Sequence, residues 1–307
     1  MHFTLRQLEI FAAIARSGSV SGAAGAVALT QSAASTALAE LERQTGRRLF
    51  DRVGKSLRLN ELGRNLLPKA VELLDRAAEI DDLLQGHEAV GNLNIGATLT
   101  IGNYLATLIV AEFLRRHPQA RVKLEVRNTA HLLQALAVHE VDLGLVEGDC
   151  HHPDLAVVPW VDDELAVFCA PGHPLAGRSA TPKRLLQEPW ILREPGSGTR
   201  ETFDHAFRHH LPGLRVRLEL EHTEAIKRAV ESGLGLGCIS RLALKDAFRR
   251  GSLAEVRTPA LDLKRTFSFV WHRDKFHGAG LRAFLELCRE FSQGAATSDE
   301  IALPPVP

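Results

Sequence analysis

Cysteine is scarce here. Four residues in 307 (Cys150, Cys169, Cys238 and Cys288) lie far apart, with no CxxC pair among them. Such usage excludes a disulfide scaffold and a thiolate zinc finger, and predicts a reduced, cytoplasmic setting. No apolar run approaches the roughly 18 residues of a membrane span, and the charged N-terminal segment lacks a signal-peptide core, so no membrane partner is expected. Net charge is absent as well, 37 basic residues against 37 acidic, so the chain as a whole is no polycation. Neither a GxSxG elbow nor an HExxH helix is present. The run Gly233-Leu234-Gly235-Leu236-Gly237 precedes a strand pattern instead of following one, the wrong order for a dinucleotide loop. Cys150-His151-His152 places adjacent ligands on one loop with no second pair at ligand spacing, so no metal is expected. His209-His210 ends a helical pattern, where imidazoles suit the negative end of the dipole. No cofactor and no catalytic activity are predicted.

What is present is a globular composition, 45% hydrophobic and 24% charged, at a length suited to two or more domains of roughly 150 residues each. Charge is segregated locally. Between Arg43 and Arg64 stand seven basic residues, opposed only by Asp51 and Glu61. Just before them, Leu5, Leu8, Phe11, Ala12 and Ala15 recur at helical spacing. Ser17-Gly18-Ser19 ends that helix, and a small-residue helix follows over Val20–Val27, open to close approach by a neighbour. Thr30 is placed to cap a third helix, Gln31–Gln44, with Ala34, Leu38 and Leu41 inward and Gln31, Ser32, Ser35, Thr36 and Ala39 outward. Gly54-Lys55 turns between two extended basic segments. From Asn60 to Gln85 an apolar stripe (Leu62, Leu66, Leu67, Ala70, Leu73, Leu74, Ala77, Ile80, Leu84) predicts one long helix, bent at Pro68, that seeks a partner helix.

After Gly86 strand and helix patterns alternate, an α/β texture with parallel strands expected. Two loops carry hydroxyls from a strand into a helix: Gly96-Ala97-Thr98-Leu99-Thr100-Ile101-Gly102 and Arg193-Glu194-Pro195-Gly196-Ser197-Gly198-Thr199-Arg200. Backbone N–H groups at such starts suit an anion. Glu147 ends a strand nearby; it could meet an amino group, tune anion preference or serve a hinge. His222-Thr223 and Ile239-Ser240 are further candidates on the same side. Residues 295–307, small, polar and proline-rich, read as a disordered tail.

The segment Ser19 to Ser35, followed by Leu38 and Leu41-Glu42, resembles the helix-turn-helix of LysR-type transcriptional regulators. Gly46-Arg47-Arg48-Leu49-Phe50-Asp51-Arg52 and Leu59-Asn60-Glu61-Leu62-Gly63 match that family's wing and the start of its linker helix. The resemblance covers essentially the whole chain. It implies a winged helix-turn-helix over 1–60, a dimerising linker helix over 61–88, and a bilobal effector domain like a periplasmic binding protein over 89–294. Lobe I would take 89–162 and 267–294, lobe II 163–266. Gln31, Ser32, Ser35 and Thr36 would face base edges in double-stranded DNA, Thr36 standing where members often carry a long basic side chain. Arg47, Arg48, Arg52 and Lys55 would meet phosphates or the minor groove. A symmetric dimer, paired into a dimer of dimers, implies an imperfect inverted repeat, with RNA polymerase as a further partner. The two loops are similar to those in the branch of regulators of sulfur assimilation and carbon fixation. That implies a small anionic effector held by Thr98, Thr100, Ser197 and Thr199; Glu147 and Ile239, by their places at strand ends, are expected beside the same crevice. A competing reading, a small-molecule-binding or transferase-like α/β protein with N-terminal assembly helices, has no need of the basic wing.

Overall fold

A computed structural model describes residues 3–54, 56–84 and 92–302. Lys55, the end of the expected linker (85–88) and residues 303–307 lie outside the described residues. The N-terminal unit comprises α1 (Leu5–Ser17), α2 (Val20–Ala26), α3 (Gln31–Thr45) and a hairpin of β1 (Phe50–Val53) with β2 (Ser56–Leu59). Each helix start is encoded locally. Thr4 and Gln7 form a reciprocal capping box on α1, Ser19 accepts from the Gly22 amide, and Thr30 accepts from the Ala33 amide. Gly18 and Gly46 close α1 and α3 in the left-handed conformation that side chains resist. Ala23, Ala24 and Ala34 let the helices approach around Ile10, Phe11, Ile14, Leu38 and Leu41, and Phe11 meets Phe50 of β1 at 5.5 Å between ring centroids.

The long helix α4 (Glu61–Leu84) contains Pro68 within it, as expected. Its stripe divides in two. Leu67, Ala70 and Val71 are buried in the N-terminal core, whereas Leu73, Ile80 and Leu84 are 38%, 62% and 80% exposed. Five of the nine stripe residues (Leu62, Leu66, Leu67, Ala70 and Leu74) therefore pack on the N-terminal core, while Leu73, Ile80 and Leu84 face outward.

The remainder is two lobes. In order come β3 (Asn92–Ala97), α5 (Leu99–Ile101), a π-turn (Gly102–Ala106), α6 (Thr107–Arg116), β4 (Arg121–Val126), α7 (Thr129–Ala137), β5 (Leu143–Glu147) and β6 (Leu155–Cys169). Then follow α8 (Pro182–Leu185), β7 (Pro189–Arg193), α9 (Gly198–Ala206), β8 (Arg215–Leu220), α10 (Thr223–Glu231), β9 (Leu236–Ser240), α11 (Arg241–Arg250), β10 (Ala254–Val256), β11 (Lys264–His272) and α12 (Ala279–Ser292). Strand order is β4-β3-β5-β11-β6-β9-β7-β8, with β10 on β6. Parallel pairing holds within each lobe, β4-β3-β5 in one and β8-β7-β9 in the other. The expectation of parallel strands fails at β6 and β11, which pair antiparallel with each other and with their neighbours. They connect the lobes in opposite chain directions, so they cannot run parallel. β6 is fifteen residues long, enough to serve both lobes. A register shift in its pairing with β11 accommodates the stretch around Pro159.

The disordered-tail expectation is corrected for residues 295–302. Thr297 bridges Asp162, Ser298 to Glu300 forms a 3-10 turn, Ser298 is wholly buried, and Ile301 packs into the lobe I core. Two small but specific anchors, a buried hydroxyl and one isoleucine, outweigh the segment's polar composition.

Candidate functional site

Two surfaces of distinct chemistry emerge. On the first, α3 presents Gln31, Ser32, Ser35 and Thr36, all exposed, while Ala34, Leu38 and Leu41 bury its other face. Arg47, Arg48 and Arg52 are exposed beside and along the hairpin. Among the described residues, none of these seven side chains is tied to a neighbour, so each is free to meet a phosphate or a base edge. Arg43 differs: it pairs with Glu40 at 2.5 Å, which removes one charge from the basic stretch. The wing turns at Gly54, whose positive φ needs no side chain.

The second surface lies where the lobes meet. Thr98, Thr100, Glu147, Ser197 and Thr199 converge there, all at most 2% exposed. Gly198 passes so near β5 that a Cβ on it would lie 2.0 Å from the Glu147 carbonyl oxygen. The Gly198 amide donates to Thr129 Oγ1 at 3.1 Å and the Ala130 amide to the Gly196 carbonyl at 3.3 Å, joining the second loop to the start of α7 across the lobes. Tyr104 donates to Glu224 and takes a 3.3 Å hydrogen bond from Lys227, a further link between lobes.

At the centre sits a carboxylate of the chain itself. Glu147 Oε1 accepts from the Thr100 amide at 2.9 Å, and Oε2 accepts from Thr100 Oγ1 at 2.6 Å and Thr199 Oγ1 at 3.3 Å. The helix start that the sequence marks as an anion site is thus filled by an internal anion. Arg265, which sequence reasoning missed, pairs with Glu147 Oε2 at 2.5 Å and with Asp163 Oδ2 at 2.7 Å, and donates to Thr199 Oγ1 at 3.0 Å. Burial alone would raise the Glu147 carboxyl; the Arg265 guanidinium and the Thr100 bonds outweigh it and hold the group below the usual carboxylate range. Burial opposes the charge of Arg265 too, yet Glu147 and Asp163 raise its pKa, so it stays a cation.

The hydroxyls divide by role. Thr100 and Thr199 touch the central carboxylate. Thr98 Oγ1 instead accepts from the Glu147 amide at 3.2 Å and lies 3.4 Å from the Leu145 carbonyl, fixing the end of β5. Ser197 caps α9, accepting from the Arg200 amide at 3.1 Å. Ile239 is not brought to the cluster: it packs in the lobe II core with Phe168 and Ile226. Beyond the buried network opens a crevice of about 890 Å³, bordered by Leu99, Asn103, Asn128, His131, Glu194 and His222 from both lobes.

Sequence relatives agree with this geometry. Residues 5–64 match the bacterial regulatory helix-turn-helix protein, lysR family, and residues 86–293 match the LysR substrate binding domain. The chain is 46% identical over 288 residues, covering 94% of itself and 98% of the relative, to "Uncharacterized HTH-type transcriptional regulator YeiE" of Escherichia coli (strain K12). It is 32% identical over 289 residues to the RuBisCO operon transcriptional regulator of Allochromatium vinosum, covering 93% and 95% of the two chains. Among solved structures, the Synechocystis PCC6803 CcmR regulatory domain in complex with 2-PG superposes with a TM-score of 0.62 at 29% identity, over 67% of this chain and 99% of that one. These relatives are regulators, not enzymes, and the transferase-like reading falls with them. With a helix-turn-helix, a basic wing and one long helix leading to a bilobal domain, the chain belongs to the LysR family of DNA-binding transcriptional regulators, with an effector-binding domain.

Proposed function

We propose that this regulator is switched by a small anionic effector, seated between the lobes on the donors that Glu147 now occupies. The observation that carries the reading is the hold on that one carboxylate: Thr100 amide and hydroxyl from lobe I, Thr199 hydroxyl from lobe II, and Arg265 from β11. Donors from both sides make the ligand prefer one inter-lobe arrangement, and a ligand shifts an equilibrium only by such differential affinity. An incoming oxyanion takes over these bonds as Glu147 withdraws toward the crevice. Ser197 and Thr98 hold the two loops in place around it. Through α4 the altered lobes shift the spacing of two DNA-reading heads.

On DNA, Gln31, Ser32, Ser35 and Thr36 read bases while Arg47, Arg48, Arg52 and Lys55 meet phosphates. A homodimer formed through α4, assembled as a dimer of dimers in the cytoplasm, spans an imperfect inverted repeat and contacts RNA polymerase there. The decisive experiment is calorimetric titration of the full chain with sulfate, phosphate and 2-PG. Binding lost in Thr100→Val and Thr199→Val supports the site; wild-type affinity in both variants refutes it.

A further inference from the structure

We propose that the C-terminal strap, Thr297–Ile301, is a member of the effector site, with Ser298 as a positioning residue that acts on Arg265 through Asp163. This rests on the anion reading above, and the test below separates the two. Asp163 is wholly buried in β6. Its Oδ2 takes the Arg265 Nε bond at 2.7 Å. Its Oδ1 accepts from Ser240 Oγ of lobe II and from Ser298 Oγ of the strap, both at 2.6 Å. Two hydroxyls thus fix the rotation of the carboxylate that aims the guanidinium at Glu147 and Thr199. Without Ser298 a buried oxygen of Asp163 loses a charge-assisted partner, and Arg265 loses its alignment.

The strap's other attachments show what it spans. Asp163 and Asp162 stand opposite Arg265 and Thr266 where β6 and β11 pass between the lobes. Thr297 bridges Asp162 at that point. Ile301 enters the lobe I core, and Lys245 of α11 in lobe II donates to the Asp299 carbonyl at 2.6 Å. Hinge, lobe I and lobe II are tied by five residues. The turn is held from within by Thr297 Oγ1 on Asp299 at 2.8 Å and by the Ala296 amide on Glu300 at 2.8 Å. All of this lies beyond residue 293, where the LysR substrate binding domain match ends.

The test uses the full chain, Ser298→Ala, Ser298→Thr and a truncation after Ala296. Sulfate affinity is measured by calorimetry, and amide exchange is followed without any anion at Gly198, whose N–H bond to Thr129 Oγ1 joins the lobes. Exchange within β3 serves as the fold control. Ser298→Ala should bind sulfate about tenfold more weakly, the scale of one lost hydrogen bond to a charge, and should exchange faster at Gly198 with β3 unchanged. Ser298→Thr, which keeps the hydroxyl, should restore both, and truncation should exceed Ser298→Ala. Wild-type exchange at Gly198 in both Ser298→Ala and the truncation overturns the proposal. If no anion binds the wild-type chain, the effector reading fails by itself, and the exchange data alone decide the strap.

Discussion

Replacing Glu147 by Gln removes one charge while keeping shape, and the structure sets two opposite consequences. Arg265 faces two buried carboxylates, Glu147 and Asp163, so the cluster carries one net negative charge. Bound sulfate, a dianion, added to the present cluster would leave it three negative charges in a dry site. In Glu147→Gln the same anion leaves two. The amide also surrenders the ion pair to Arg265, so the donors are no longer held by a charged competitor. Hydrogen bonds to charged groups contribute about 1.5–3 kcal/mol, so relief of one such contact should tighten sulfate binding by about 10- to 100-fold. Stability should move the other way, because breaking a buried pair costs about 3–5 kcal/mol, here toward the lower end since Arg265 keeps Asp163. Calorimetric titration gives the affinity, and thermal unfolding without anion gives the stability. A rise in affinity with a fall in melting temperature cannot come from general loosening of the fold. Sulfate affinity equal to or below wild type would show that Glu147 does not occupy the effector's place, and the proposed site would fall with it.

The exposed half of α4 should mediate assembly: Leu73→Asp with Ile80→Asp should give monomers by sedimentation that bind DNA poorly, and an unchanged oligomer counts against the α4 interface. Arg52→Ala should weaken binding to every sequence alike and reduce the salt slope by about one. Gln31→Ala should instead cost on the order of 1–3 kcal/mol at a single base pair; equal losses across operator variants for both would refute this division. His139 is buried with neither ring nitrogen hydrogen-bonded among the described residues, and burial, then His272, Lys275 and Arg16, push its pKa down to about 3. The unfolded chain, titrating near 6.5, therefore binds more protons below that pH. Stability is unaffected above about 6.5 and falls as pH drops toward 3, by about 2 kcal/mol at pH 5 from this group. Denaturant unfolding at both pH values should show a shallower fall in His139→Asn, a residue that tolerates the positive φ found there; an identical fall would assign the pH dependence to other groups.

Local signals made the N-terminal unit readable from sequence. Thr30, Gly18 and Gly46 act through bonds within a few residues of themselves, and the small residues of α2 announce close packing wherever the helix lands. The loops at Thr98 and Ser197 were legible for the same reason, as strand-to-helix turns with hydroxyls and glycines. What fills them was not, because Glu147 meets Thr100 across 47 residues and Arg265 meets Thr199 across 66. Yet a trace existed. Leu263, Arg265, Phe267 and Phe269 alternate on one strand face, as do Val161, Asp163 and Leu165, and all seven are buried. A charge at an inward strand position is costly unless paired, so an arginine in one such row and an aspartate in another already predict each other. The acidic run Asp162-Asp163-Glu164 hid this by resembling a solvated turn, which also concealed the middle of β6. Ser298 left no comparable trace: a lone serine in a polar tail is ordinary, and only the buried oxygen of Asp163, supplied by a strand 135 residues away, makes that position matter. The proposed effector site thus lies where sequence periodicity and local composition disagree, at charges set into apolar strand faces and at a hydroxyl docked beneath a tail.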